Sequence, residues 1–384
     1  MLPTEEKLRL VMRRQTLSEG ETPADFEKLL SEKEKPNITW LTTPTGKPHV
    51  CYIVPLAKLV DFLRAGLDVK ILILDVYGFL VNYKHPMELV AHRAEYYRRL
   101  VTAVLQSLGV PPGQVEFIDE SSYVYSKKFM VDMQKLAALM TQQDARDTCE
   151  EISETTMLSP MLCCIHQSLS EEYVGMDIQF GGLDQTGLFE HARKFIPQLD
   201  YRQRLHAMNP IVAGLDGLKM SSSKPADTKI MFLDDPDTVR RKVQNAACQP
   251  REVAGNGVME LLKHVLMPIG EMQLERERGQ TGFNDVERTQ GSGRQFVSDG
   301  APDDAVFSVV GPEEKVMHFT SYEEVEKAYV GGTVDPQPLK RAVAEAFNSV
   351  LAPILKIYQE SKEWQEVDRL AYPDEWQEVK GAAL

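Results

Sequence analysis

The sequence predicts an α/β chain: a parallel, doubly wound sheet broken by a helical insertion, then a mostly helical C-terminal domain. Three observations carry this. "NITWLT" (Asn37–Thr42) and "VKILILD" (Val69–Asp75) are strand-like runs separated by one helix-length segment, the spacing of a right-handed βαβ unit. Further strand-like runs recur downstream, one of them followed at once by two glycines and a helix start. From about Pro225 to Asp237 the character changes, and long amphipathic helical patterns take over.

Taken in order, residues 1–35 are expected to form one or two charged helices. The sheet domain is expected to span 36–225. Its first strand ends in the turn "TPTGKP". From His49 to Ala65, apolar residues recur at helical spacing until Gly66 closes the helix. "VEFID" (Val115–Asp119), "MDIQFGGLDQ" (Met176–Gln185) and "HAMNPIV" (His206–Val212) supply further strands. Residues 129–167 break the rhythm with helical patterning and form the insertion. The helical domain covers 226–384, with a polar, Gly- and Asp-rich loop at about 275–304. "PLKRAVAEAFNSVLAPILKIY" carries Leu339, Val343, Phe347, Val350, Leu351, Ile354 and Tyr358 on one stripe.

The bulk composition is that of a soluble globular protein, with 43% hydrophobic and 26% charged residues among 384. No apolar run reaches the length of a membrane span, and the N-terminus has no signal-peptide pattern. The five cysteines form no CxxC pair, which predicts free thiols in the cytoplasm. No Cys/His cluster has metal-ligand spacing, so no protein-held metal is expected. The net charge of −14 argues against a basic nucleic-acid face.

Three segments fall at the C-terminal ends of strands, where open α/β sheets bind ligands. "TGKPH" puts His49 at a helix N-terminus, whose free N–H groups and dipole favour a phosphate. "GGLDQ" lets backbone approach a flat ligand while Asp184 accepts ribose hydroxyls. "GLKMSSSKPAD" supplies Lys219 on a Gly/Ser-rich loop that can balance charge on a polyphosphate. Each alone is compatible with a plain turn or linker. Their conjunction in this order on one sheet edge points to nucleotide chemistry.

"PHV-Y" (Pro48, His49, Val50, Tyr52), "QFGGLDQ" (Gln179–Gln185) and "KMSSS" (Lys219–Ser223) resemble the signature motifs of the eukaryotic-type tyrosyl-tRNA synthetases, and the likeness runs through "GNGVMELLKHVLMP" and "LAYPD". The resemblance implies a class I synthetase, with a Rossmann-like sheet and ATP with Mg²⁺ as cosubstrate and ion. His49 and Lys219 are then expected to stabilise the pyrophosphate leaving group, and Ser221, Ser222 and Ser223 to support the mobile loop. Gly182 and Asp184 are expected to hold the ribose, and Thr42, Gly46, Tyr52 and Met220 to complete the nucleotide site. The resemblance further implies a homodimer joined through residues 129–167 and an anticodon-reading C-terminal domain.

The expected acid pocket comprises Thr39, Leu41, Leu74, Tyr77, Val124, Cys163, Gln167, Ser170 and Gln185. It departs from the family pattern. Thr39 and Ser170 stand where the family places the Tyr and Asp that read the substrate phenol. Cys163 replaces a second Tyr, Leu41 a Gly, Leu74 an Ala, Tyr77 a His and Val124 a Gln. Only Gln167 and Gln185 keep their types. Each lost hydrogen bond to a charged group is worth on the order of 1.5–3 kcal/mol. The expectation is therefore an adenylate-forming ligase for a carboxylic or amino acid other than tyrosine. Its acyl group is expected to pass to a non-tRNA acceptor, such as an amine in a small-molecule pathway. The alternatives are a genuine tyrosine–tRNA ligase (or a tRNA ligase for another amino acid) and a non-catalytic ATP- or RNA-binding regulator.

Overall fold

The computed structural model describes residues 2–81, 85–218, 225–280 and 294–374. Its centre is a six-stranded sheet in the order β1-β6-β5-β2-β3-β4. The strands are β1 (Thr16–Leu17), β2 (Asn37–Thr42), β3 (Asp68–Ile73), β4 (Glu116–Asp119), β5 (Ile178–Gly182) and β6 (Leu205–Asn209). All neighbours are parallel except β1, which runs antiparallel along β6.

β2 is central and every one of its six residues is buried, as a strand covered on both faces must be. Its side chains alternate between two cores. Ile38 and Trp40 join the core shared with the helix Ile53–Arg64 and the C-terminal helices. Leu41 joins the core formed with the insertion. Thr39 shares the Leu41 face by the same period of two. The helix Ile53–Arg64 follows a single turn of 3₁₀ helix, Val50–Tyr52, and stops at Gly66, whose φ of 82° needs no Cβ clearance. Phe62 packs edge-on against Phe180 of β5 at 5.2 Å between ring centres, which locks this helix to the sheet.

The insertion is helical and is dominated by Lys127–Leu139 and Cys163–Tyr173. Its inner face supplies Phe129, Leu136, Cys163, Ile165 and Leu169 to the second core. Its outer face leaves Tyr125, Met130, Val131, Leu139, Met157 and Leu158 exposed, the last at 71%.

Beyond the sheet, the long helices are Pro236–Asn245, Met267–Glu277, Tyr322–Val330, Pro336–Glu360 and Lys362–Ala371. Two features differ from the sequence reading. The N-terminal segment has the two expected helices, Thr4–Met12 and Pro23–Glu32, but the short edge strand β1 lies between them. The C-terminal region also contains an antiparallel hairpin, β7 (Phe307–Val310) with β8 (Val316–Phe319). Its turn places Glu313 and Glu314 at φ 57°, so it lacks the Asn-Gly signal by which such turns are recognised. Of the expected loop at 275–304, residues 281–293 lie outside the described residues.

A buried ion cluster joins three parts of the chain. Asp61 is fully buried and pairs with Arg13 and Arg14, while Arg13 also reaches Glu275 at 2.7 Å. Among the described residues, no helix is long and apolar enough to cross a membrane.

Candidate active site

A cavity of about 860 Å³ opens at the carboxyl ends of the parallel strands. Leu41 and Thr42 come from the end of β2, and Leu74 from just past β3. Gly182, Asp184 and Gln185 come from the end of β5, and Asn209 from β6.

At one end stand Thr42, Gly46, His49, Tyr52, Gly182 and Asp184. His49 is buried, with its ring edge-on to Tyr52 at 5.7 Å. Its Nδ1 is buried and has no hydrogen-bond partner. Burial, with Lys229 adding to it, lowers its pKa to about 4. The ring is therefore neutral near pH 7 and offers a hydrogen bond rather than a charge. The preceding turn is held from outside. The Tyr97 hydroxyl donates to the Gly46 carbonyl at 2.6 Å, and the Tyr372 hydroxyl donates to it at 3.3 Å. Lys47 pairs with Asp368 at 2.8 Å, in the last described helix.

The two glycines at the end of β5 are required by close approach. A Cβ on Gly182 would stand 2.3 Å from Asp184 Oδ1, and one on Gly181 would stand 2.5 Å from Gln185 Oε1. Glycine here lets both side chains fold back over the strand end.

At the other end, the cavity is lined by Leu41, Leu74, Tyr77, Leu188, Gln167 and Gln185. Thr39, Val124, Cys163 and Ser170 are brought into the same region but lie behind this lining, at 2% exposure or less. The Thr39 hydroxyl donates to Asn37 Oδ1 at 3.0 Å, and the Ser170 hydroxyl to the Gln167 carbonyl at 2.6 Å. Burial pushes the Cys163 thiol well up, which leaves it unreactive. Lys219, Met220, Ser221, Ser222 and Ser223 lie outside the described residues.

A buried polar chain leads away from the two glutamines. Gln167 Nε2 donates to Gln179 Oε1 at 2.8 Å and to Gln185 Oε1 at 3.1 Å. Gln179 Nε2 donates to Glu171 Oε1 at 2.7 Å. His206 bridges Glu171 through Nε2 at 2.7 Å and Glu21 through Nδ1 at 3.1 Å. Burial opposes charge on His206, but the two carboxylates outweigh it and raise its pKa to about 9. A carboxylate at Glu171 fixes each amide in turn: Gln179 must point its NH₂ at Glu171, so its oxygen faces Gln167.

A match to the model of "tRNA synthetases class I (W and Y)" extends over residues 31–352. The chain belongs to that family. Curated relatives place it on the eukaryotic tyrosyl side. It is 36% identical to a cytoplasmic tyrosine–tRNA ligase of Danio rerio over 377 residues, 97% of this chain and 64% of that protein. It is 35% identical to the cytoplasmic tyrosine–tRNA ligase of Saccharomyces cerevisiae over 347 residues, 89% of this chain and 82% of the yeast protein. Thus the chain spans somewhat under two thirds of the vertebrate relative's length. Among solved structures, the tyrosyl-tRNA synthetase of Archaeoglobus fulgidus complexed with L-tyrosine superposes with a TM-score of 0.75 at 28% identity, covering 92% of this chain and 99% of that one. The Pyrococcus horikoshii enzyme, at 19% identity, shares the fold with a TM-score of 0.80, covering 96% of this chain and 100% of that one.

The site thus offers an unpartnered buried His nitrogen, a glycine pair under an Asp carboxylate, and a turn fixed by Tyr97 and Tyr372. Sequence reasoning missed Lys47, Gln179, Glu171, His206 and Glu21. The available signal was a polar residue inside a buried strand, Gln179 in β5 and His206 in β6, which must find a partner.

Proposed function

We propose that the chain activates an amino acid with ATP, forming an aminoacyl-adenylate and pyrophosphate, and passes the acyl group to a tRNA. The observation that carries this is the single cavity that gathers His49, Gly182, Asp184, Gln167 and Gln185. The acid's carboxylate attacks the α-phosphate in line, so positioning and charge stabilisation matter more than a general base. His49 and Lys219 stabilise the departing pyrophosphate, and Asp184 orients the ribose over Gly182. Magnesium accompanies the ATP phosphates and neutralises their charge.

tRNA is the acceptor favoured by the relatives, which are named tyrosine–tRNA ligases. The same names favour tyrosine as the acid and the cytoplasm as the location. A second reading, activation of a different acid, is favoured by Leu41 and Leu74 at the acid end, with Thr39 and Ser170 behind them. The net charge of −14 is the one observation that favours a small-molecule acceptor. Pyrophosphate exchange with each amino acid, followed by charging of total tRNA, separates these readings. Charging of any tRNA removes the small-molecule acceptor, and absence of exchange with every acid removes the enzyme.

The exposed apolar side chains on the insertion support a homodimer joined there.

A further inference from the structure

We propose that the acid end of the cavity takes an α-amino acid with a short apolar side chain and excludes one as long as tyrosine. This rests on the adenylate-forming reading above and specifies its substrate class.

The argument is one of depth. Thr39 and Leu41 share one face of β2, and Leu41 is the nearer to the strand's carboxyl end, where the cavity opens. Leu41 lines the cavity, whereas Thr39 is 0% exposed and does not. Two residues along a strand is about 6.6 Å. The opposite wall tells the same story. Gln167 lines the cavity, while Ser170, three residues on along the same helix, is 0% exposed and does not. That step is about 4.5 Å along the axis. On both walls the deeper residue is covered, and the second core packs in the same region.

At that level the lining is three leucines and a tyrosine. Leu41, Leu74, Tyr77 and Leu188 are each at most 7% exposed. Glu151 of the insertion also lines the cavity; it is exposed to solvent and its charge acts on the Tyr77 phenol. The hydroxyls of Thr39 and Ser170 are already satisfied by Asn37 and by the Gln167 carbonyl, so neither is waiting for a polar side-chain group. At the near end, the amide nitrogen of Gln167 is committed to Gln179 and Gln185. Its oxygen is the remaining handle, and an oxygen accepts from an ammonium group. An α-amino acid with a short hydrocarbon side chain matches both ends.

The test is ATP–pyrophosphate exchange on the full chain with alanine, valine, leucine, phenylalanine and tyrosine. The expected result is the highest kcat/KM between alanine and leucine, with tyrosine lower by at least about 100-fold. Leu41→Gly should open the way toward Thr39, raising kcat/KM for phenylalanine or tyrosine and raising KM for the short acids, with KM for ATP unmoved. Thermal melting confirms that the variant folds, and Leu41→Ala serves if it does not. Tyrosine as the best substrate of the unaltered chain overturns the proposal while leaving adenylate formation standing. An unchanged acid preference in both Leu41 variants also overturns it. No exchange with any acid overturns this proposal together with the reading beneath it.

Discussion

His49 is joined to Met231 by an antiparallel β-bridge, and the adjacent Val50 N–H donates to the Ile230 carbonyl at 3.0 Å. The chain that follows residue 224 is thereby fixed beside the buried imidazole. Two segments nearly two hundred residues apart thus meet at His49, which lines the cavity. His49→Ala should lower the rate of adenylate formation by about 100-fold, the scale of losing one preorganised donor. Single-turnover kinetics with ATP and the preferred acid would measure it. A rate within a few-fold of the unaltered chain would remove His49 from the chemistry.

The pKa of His49 supplies a separate expectation. Held at about 4, it stays neutral through the neutral range. A histidine in the unfolded chain takes up a proton below about 6.5. The folded state binds fewer protons between these values, so His49 makes folding less favourable as pH falls from 6.5 toward 4. No ionisation belonging to His49 should appear in kcat/KM between pH 6 and 8. The profile of His49→Gln should have the same shape at lower amplitude.

His206 has the opposite sign. Its pKa is raised to about 9, so the folded state holds more protons than the unfolded one between about 6.5 and 9. Its contribution is fully present below 6.5 and is lost as pH rises through 9. Urea unfolding at pH 7 and pH 9.5 should differ by on the order of 1–3 kcal/mol. In His206→Gln that difference should shrink.

Gly182→Ala should impair nucleotide binding without unfolding the sheet. The added methyl would meet Asp184 Oδ1 at 2.3 Å and push the carboxylate off its position. A rise in KM for ATP of about tenfold is expected, equivalent to one good hydrogen bond. Circular dichroism should be unchanged.

Leu158→Glu places a charge on the most exposed of the insertion's apolar side chains. If this face joins two copies, light scattering should show a monomer where the unaltered chain is a dimer. A dimer that survives this substitution together with Met130→Glu puts the interface elsewhere.

How much of this was readable in advance depends on how local each signal is. β3 declares itself by the apolar run Ile71–Leu74, and β2 by its β-branched and aromatic residues. Gly46, His49 and Gly182, which line the cavity, were legible because tight turns and glycine pairs leave local marks. β1 was not, since two residues carry no periodicity and Thr16–Leu17 is a strand only because Ala207 and Met208 lie opposite. The chain from Gln167 to Glu21 was hidden for the same reason: each link joins residues distant in sequence. Thr39 and Ser170 were marked as pocket residues by the family resemblance alone. Whether they touch a ligand depends on the volume of Leu41 in front of them.

The ion pair between Lys47 and Asp368 makes the last described helix part of the wall that supports the Gly46 turn. The free energy of opening that helix is thus linked to occupancy at the other end of the chain. A bound nucleotide that stiffens the Gly46 turn should slow amide hydrogen exchange along Lys362–Ala371, some three hundred residues away in sequence.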